Sequence, residues 1–166
     1  MISSRPELSW LEDPGVYEVN RRKAHSDHVF PFFKEAKAEG INVLNLDGTW
    51  KFVWDEKPPE YGLRGLSDET GERFFQAAFW EKDWKEIQGY DSCHYVNTMY
   101  PWDGHSELRP PSVPWEDNPA GSYIREFTIG DDEAFLKDRV FVSFQGVETA
   151  FYVWCNERFV GYGEDG

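Results

Sequence analysis

The chain has 166 residues, 40% of them hydrophobic and 17% aromatic, with a formal charge of −14 at pH 7. That length suffices for one domain with its own core, and the charge repels phosphate backbones and anionic membranes, so neither nucleic acid nor a membrane surface is expected as a partner. No uninterrupted apolar run approaches the length of a membrane helix.

Residues 1–40 read as an irregular arm ahead of a domain at 41–166. The first six residues lack the apolar core of a secretory leader. The two cysteines, Cys93 and Cys155, lie far apart without metal-type spacing, so a reduced, cytoplasmic setting is expected. Glu12-Asp13-Pro14-Gly15 is a turn signal. Residues 32–40 contain good helix formers ahead of Gly40 and predict one or two helical turns.

From Ile41 the pattern changes to strands. Val43-Leu44-Asn45-Leu46 and Trp50-Lys51-Phe52-Val53-Trp54 flank Asp47-Gly48, a favoured tight turn, which predicts a hairpin. Residues 60–82 are polar, with a weak helical patch at 74–79. Residues 122–129 and 139–145 alternate as strands do. Residues 149–155 are apolar on both faces, as in a strand buried between layers, and 158–162 pairs with them across Asn156-Glu157. Short strands, turn signals and few helices predict an all-β protein, a β-sandwich.

Residues 88–121 are the most unusual stretch. Aromatic rings, prolines and glycines crowd together, with Asn97, Trp102 and Asp103 among them. A long irregular segment of that composition is usually functional. Rings stack on the apolar faces of a pyranose, and an amide donates and accepts as a sugar hydroxyl does. Taken by itself, Asn97 reads more readily as a loop amide bonded to its own backbone than as a sugar ligand.

Several motifs occur together and in order: Asn20-Arg21-Arg22-x-Ala24-His25, Leu46-Asp47-Gly48-Thr49-Trp50, Gly89-Tyr90-Asp91, Tyr95-Val96-Asn97-Thr98, Tyr100-Pro101, Pro110-Pro111-x-Val113-Pro114, Asn118-Pro119-x-Gly121 and Phe144-Gln145-Gly146-Val147-Glu148. In this the chain resembles the N-terminal domain of family 2 glycoside hydrolases of the β-galactosidase type. The resemblance implies a jelly-roll β-sandwich of the galactose-binding kind, incomplete here. It implies a parent enzyme that hydrolyses terminal β-D-galactosides, with its two catalytic carboxylates in a separate barrel, so this chain contains no catalytic residue and is expected to be inactive alone.

By the same resemblance, Asn97 reaches a galactose subsite, with Trp102 and Asp103 lining its entrance. Asp13, the Val16 carbonyl and Glu164 match oxygen ligands of a divalent cation such as Mg2+. The remaining domains of the parent enzyme and further copies of it are the implied partners. Against the family pattern, Trp84-Lys85-Glu86-Ile87 runs directly into Gln88-Gly89-Tyr90, so a strand's worth of residues is missing. A stand-alone carbohydrate-binding module and a non-functional remnant are the alternative readings.

Overall fold

The computed structural model describes residues 6–23, 44–56, 83–87, 108–114, 116–129 and 140–164. The helical turns expected at 32–40 and 74–79 lie outside these. Among the described residues the structure is built from strands and one 3-10 turn, Leu8–Glu12, in agreement with the all-β expectation. The six strands of the described residues form two antiparallel sheets. They are β1 (Glu18–Val19), β2 (Trp50–Asp55), β3 (Lys85–Ile87), β4 (Ala120–Ile124), β5 (Ala150–Cys155) and β6 (Arg158–Glu164).

The first sheet runs β1-β6-β5. Its heart is the β5–β6 hairpin, and the sequence explains it well. Phe151-Tyr152-Val153-Trp154 supplies the aromatic and β-branched residues that suit a pleated surface. Asn156 and Glu157 turn the chain with φ of 49° and 64°, as a two-residue turn with both centres left-handed requires.

The pairing contains an irregularity with consequences. Val153 faces Gly161 while Trp154 faces Phe159, so Val160 is the extra residue of a bulge. The bulge shifts the alternation by one, and Phe159 joins Tyr162 on the face that also carries Tyr152 and Trp154. The Val160 carbonyl accepts a 3.1 Å hydrogen bond from the Asn20 side chain. Asn20 itself sits at φ 60°, a conformation asparagine tolerates. Gly161 is needed beside it, because a Cβ there would lie 3.0 Å from the Val19 backbone oxygen.

The second sheet runs β3-β2-β4. Phe52 faces Lys85 on one side and Tyr123 on the other. The hairpin expected across Asp47-Gly48 does not form. Lys51 and Phe52 of β2 are already paired on both sides, so no place beside them remains for residues 44–46. Instead the Asn45 side chain accepts the Asp47 amide at 2.6 Å, and the Trp50 indole donates to the Leu46 carbonyl at 3.1 Å. Local side-chain bonds replace the ladder. Gly48, at φ 120°, passes under the Arg125 guanidinium, which donates to the Thr49 carbonyl at 2.7 Å.

Two further expectations need correction. The strand expected at 122–129 is displaced: β4 starts at Ala120 and stops at Ile124, where its pairing with Lys51 ends and Arg125 turns back toward Thr49. Residues 140–144 form no strand. Val140, Phe141, Val142 and Phe144 are between 43% and 56% exposed, and no described strand pairs with them. Residues 85–87, at the edge of the expected deletion, do pair, as β3 against β2.

Candidate functional site

Among the described residues, the most extensive packing is at the junction between the arm and the first sheet. The 3-10 turn Leu8–Glu12 holds Trp10 over the ring face of β5 and β6. Its indole stacks on Tyr152 at 6.1 Å and 10°, and meets Tyr162 at 5.4 Å and Phe159 at 5.9 Å. The Tyr152 hydroxyl donates to the Glu7 carbonyl at 2.9 Å. Tyr162 is 2% exposed, and Pro6 at the head of the arm is fully buried. Here the rings gain both apolar burial and favourable ring–ring geometry.

The Tyr162 hydroxyl donates to the Glu164 carboxylate. Both phenols are held above their ordinary range. For Tyr152 the cause is burial, then the Glu164 charge. For Tyr162 it is burial, then the hydrogen bond to Glu164, then the charges of Tyr152 and Glu164.

Of the three residues matched to cation ligands, Asp13 and Val16 share a turn, and Glu164 is bonded to the residue after Val16. Asp13 opens a turn: its carboxylate accepts the Gly15 amide at 2.9 Å and its carbonyl accepts the Val16 amide at 2.9 Å. The Glu164 amide donates to the Tyr17 carbonyl, next to Val16, at 2.9 Å. Two carboxylates and a carbonyl are donors of the right chemistry for a hard cation. They are not by themselves a full shell: among the described residues no group of three or more His, Cys, Asp or Glu is placed to hold a metal ion. One Glu164 oxygen is also engaged by Tyr162.

Asn97, Trp102 and Asp103 lie outside the described residues. What is described is the limb by which the chain leaves their segment. Ser112 closes a turn onto the Arg109 carbonyl at 2.9 Å, and the Val113 amide donates to the Glu12 carboxylate at 2.9 Å. The arm therefore reaches the limb directly. Sequence reasoning missed this role for Glu12, since an acid ahead of a turn carries no trace of a partner 101 residues away.

The second sheet carries another ring cluster. Phe52, Trp54 and Tyr123 share one face, with Phe52 and Tyr123 at 4.9 Å. Trp54 is 51% and Tyr123 46% exposed.

Comparison with known proteins adds the context. Residues 43–166 match the family described as glycosyl hydrolases family 2, sugar binding domain. The chain is 44% identical to a β-galactosidase of Clostridium acetobutylicum, over 99% of this chain and 18% of that protein. It is 44% identical to one of Halalkalibacterium halodurans, over 99% and 16%. It is 34% identical to a β-galactosidase large subunit of Latilactobacillus sakei, over 97% and 28%. The chain thus spans less than a third of the length of these relatives. The three alignments run over 178, 175 and 183 positions, more than the 166 residues of this chain, so each relative has residues without a counterpart here.

Proposed function

Because the chain belongs to the family 2 glycosyl hydrolases, as their sugar-binding domain, we propose that it serves a β-galactosidase acting on terminal β-D-galactosides such as lactose. The observation that carries this reading is identity of 44% to β-galactosidases over 99% of the chain. In this role the chain binds and positions. The carboxylate pair that a retaining glycosidase needs comes from the rest of the enzyme. Asn97 donates to and accepts from galactosyl hydroxyls, while Trp102 and Asp103 line the way in. The full enzyme is a cytoplasmic homo-oligomer on this reading. Among the described residues no helix is long and apolar enough to cross a membrane.

Asp13, the Val16 carbonyl and Glu164 would hold Mg2+ at the corner where the arm meets β6, the donor chemistry found there being all oxygen. A bound divalent ion supplies positive charge, and these residues would fix it between the arm and the sheet. A rise in melting temperature on adding Mg2+, lost in Asp13→Asn, tests the assignment.

The functional test is a chimera in which this chain replaces the matching segment of the Clostridium β-galactosidase. It is assayed with a chromogenic β-galactoside beside the chain alone. The chimera should turn over and the chain alone should not. Asn97→Ala in the chimera should cost about 1–3 kcal/mol of transition-state stabilisation. The loss should be the same for every leaving group, because the contact is to the galactosyl ring. An unchanged Asn97→Ala chimera would remove Asn97 from the subsite.

The exposed rings of the second sheet favour a second reading, a stand-alone carbohydrate-binding module. Trp54 and Tyr123 lie on one sheet face, where such modules stack sugars. Galactose or lactose binding by the chain alone, abolished by Trp54→Ala and indifferent to Asn97→Ala, would favour it.

A further inference from the structure

We propose that Glu12 is a positioning residue: held by the arm, its carboxylate fixes the limb at residues 109–114, through which the chain returns to β4 from the segment bearing Asn97.

The argument starts from an inventory of donors. Pro110, Pro111 and Pro114 have no amide hydrogen, so between residues 110 and 114 only Ser112 and Val113 can donate from the backbone. Ser112 spends its hydrogen on the Arg109 carbonyl, closing the local turn. Val113 is left as the one backbone donor of residues 110–114 free to tie the limb to anything beyond itself. Its partner is the Glu12 carboxylate at 2.9 Å. A charged acceptor makes this a stronger bond than an amide–carbonyl pair.

An anchor is useful only if it is itself held. Glu12 is the last residue of the 3-10 turn Leu8–Glu12. Two residues before it, Trp10 is stacked on Tyr152 and packed on Phe159 and Tyr162. At the front of the turn the Glu7 carbonyl accepts the Tyr152 hydroxyl. Behind it the Asp13 carboxylate and carbonyl fix the next turn. The Glu12 backbone is therefore tied on both sides, and its side chain carries the position of the first sheet across to the limb. Seven residues after Val113 the chain has become β4 of the second sheet, already fixed against β2. The stretch from Val113 to β4 is thus fixed at both ends, by Glu12 and by the pairing of β4 with β2. The consequence for sugar binding rests on the galactoside reading above; the anchoring itself does not.

Two measurements separate these parts. In this chain, amide hydrogen exchange is followed at Val113 and Ser112 by NMR for the unmodified protein, Glu12→Gln and Glu12→Ala. Val113 exchange should quicken on the order of fivefold in Glu12→Ala. In Glu12→Gln it should change little, since the amide oxygen still accepts, and Ser112 should stay protected in all three. Unchanged Val113 exchange in Glu12→Ala overturns the anchor whatever the enzyme does. In the Clostridium chimera, kcat/KM should fall several-fold in Glu12→Ala and recover in Glu12→Gln. If Val113 is released but kcat/KM holds while Asn97→Ala loses it, the positioning role is overturned and the galactoside reading stands. If Glu12→Ala loses rate while Asn97→Ala does not, Glu12 positions the limb and the assignment of Asn97 fails.

Discussion

The hydroxyl of Tyr162 donates to the carboxylate of Glu164 two residues further along β6, on the same face of the strand. Tyr162 is also the ring on which Trp10 and Tyr152 converge, at 5.4 and 4.6 Å. One residue therefore joins the packing of the arm to the polar corner beside it. Tyr162→Phe keeps the ring contacts and removes only the donor. It should cost about 1–2 kcal/mol, since a hydrogen bond to a charged acceptor is lost in a partly buried place. Urea denaturation measures it. Tyr152→Phe removes a more exposed bond, to the Glu7 carbonyl, and should cost about half as much.

Alkali should unfold the protein through these same two phenols. Their ordinary value is 10.0, and the fold raises both. A raised folded value means that the neutral phenol is the form the fold favours. The stabilisation is complete below about pH 10, where folded and unfolded phenols are both protonated, and is lost as pH climbs from there toward the folded values. Phenolate absorbance should show the signals of Tyr152 and Tyr162 appearing late and together with loss of structure. Simple titration of all eight tyrosines near pH 10 in a folded protein would contradict this.

Trp10→Ala should free the arm. A Trp→Ala change in a core costs about 3–5 kcal/mol, and Trp10 is half-buried, so about 2–3 kcal/mol is expected. The variant should also quicken exchange at Val113, because Glu12 loses the platform that holds it. A thermal melt and amide exchange together test the linkage.

Glu157→Gly should stabilise. Glu157 sits at φ 64°, where a side chain with a Cβ is strained by about 1 kcal/mol and glycine is not. Asn-Gly is also the preferred pair for this turn. The melting temperature should rise by about 2–5 °C.

How much could be read from the sequence depended on the range of the interactions. The β5–β6 hairpin was legible, because Phe151 to Trp154 and the Asn156-Glu157 turn carry their own instructions. The Glu12 to Gly15 turn was legible for the same reason, Asp13 bonding its own neighbour. The Asp47-Gly48 hairpin was misread because a favourable turn says nothing of the strands that already occupy both sides of β2. Residues 140–144 have the alternation of a strand, yet pairing needs a partner that periodicity cannot supply. The family resemblance was carried by motifs in order and is borne out over residues 43–166. The Trp10 and Glu12 contacts were not legible at all, since each joins residues more than a hundred positions apart.

That separation also bears on how the protein is made. β1 lies near the start of the chain and pairs with β6, Glu18 opposite Gly163. Glu7 and Asn20 find their partners 145 and 140 residues later. A ribosome adds about 5–20 residues per second. The arm therefore waits, on the order of ten seconds, before the strand it belongs to has been synthesised. Through that interval Trp10 has nothing to stack on and the β1 backbone has no ladder to join. The closing of β1 onto β6 therefore follows the synthesis of every other described strand, although β1 is the first of them in the chain.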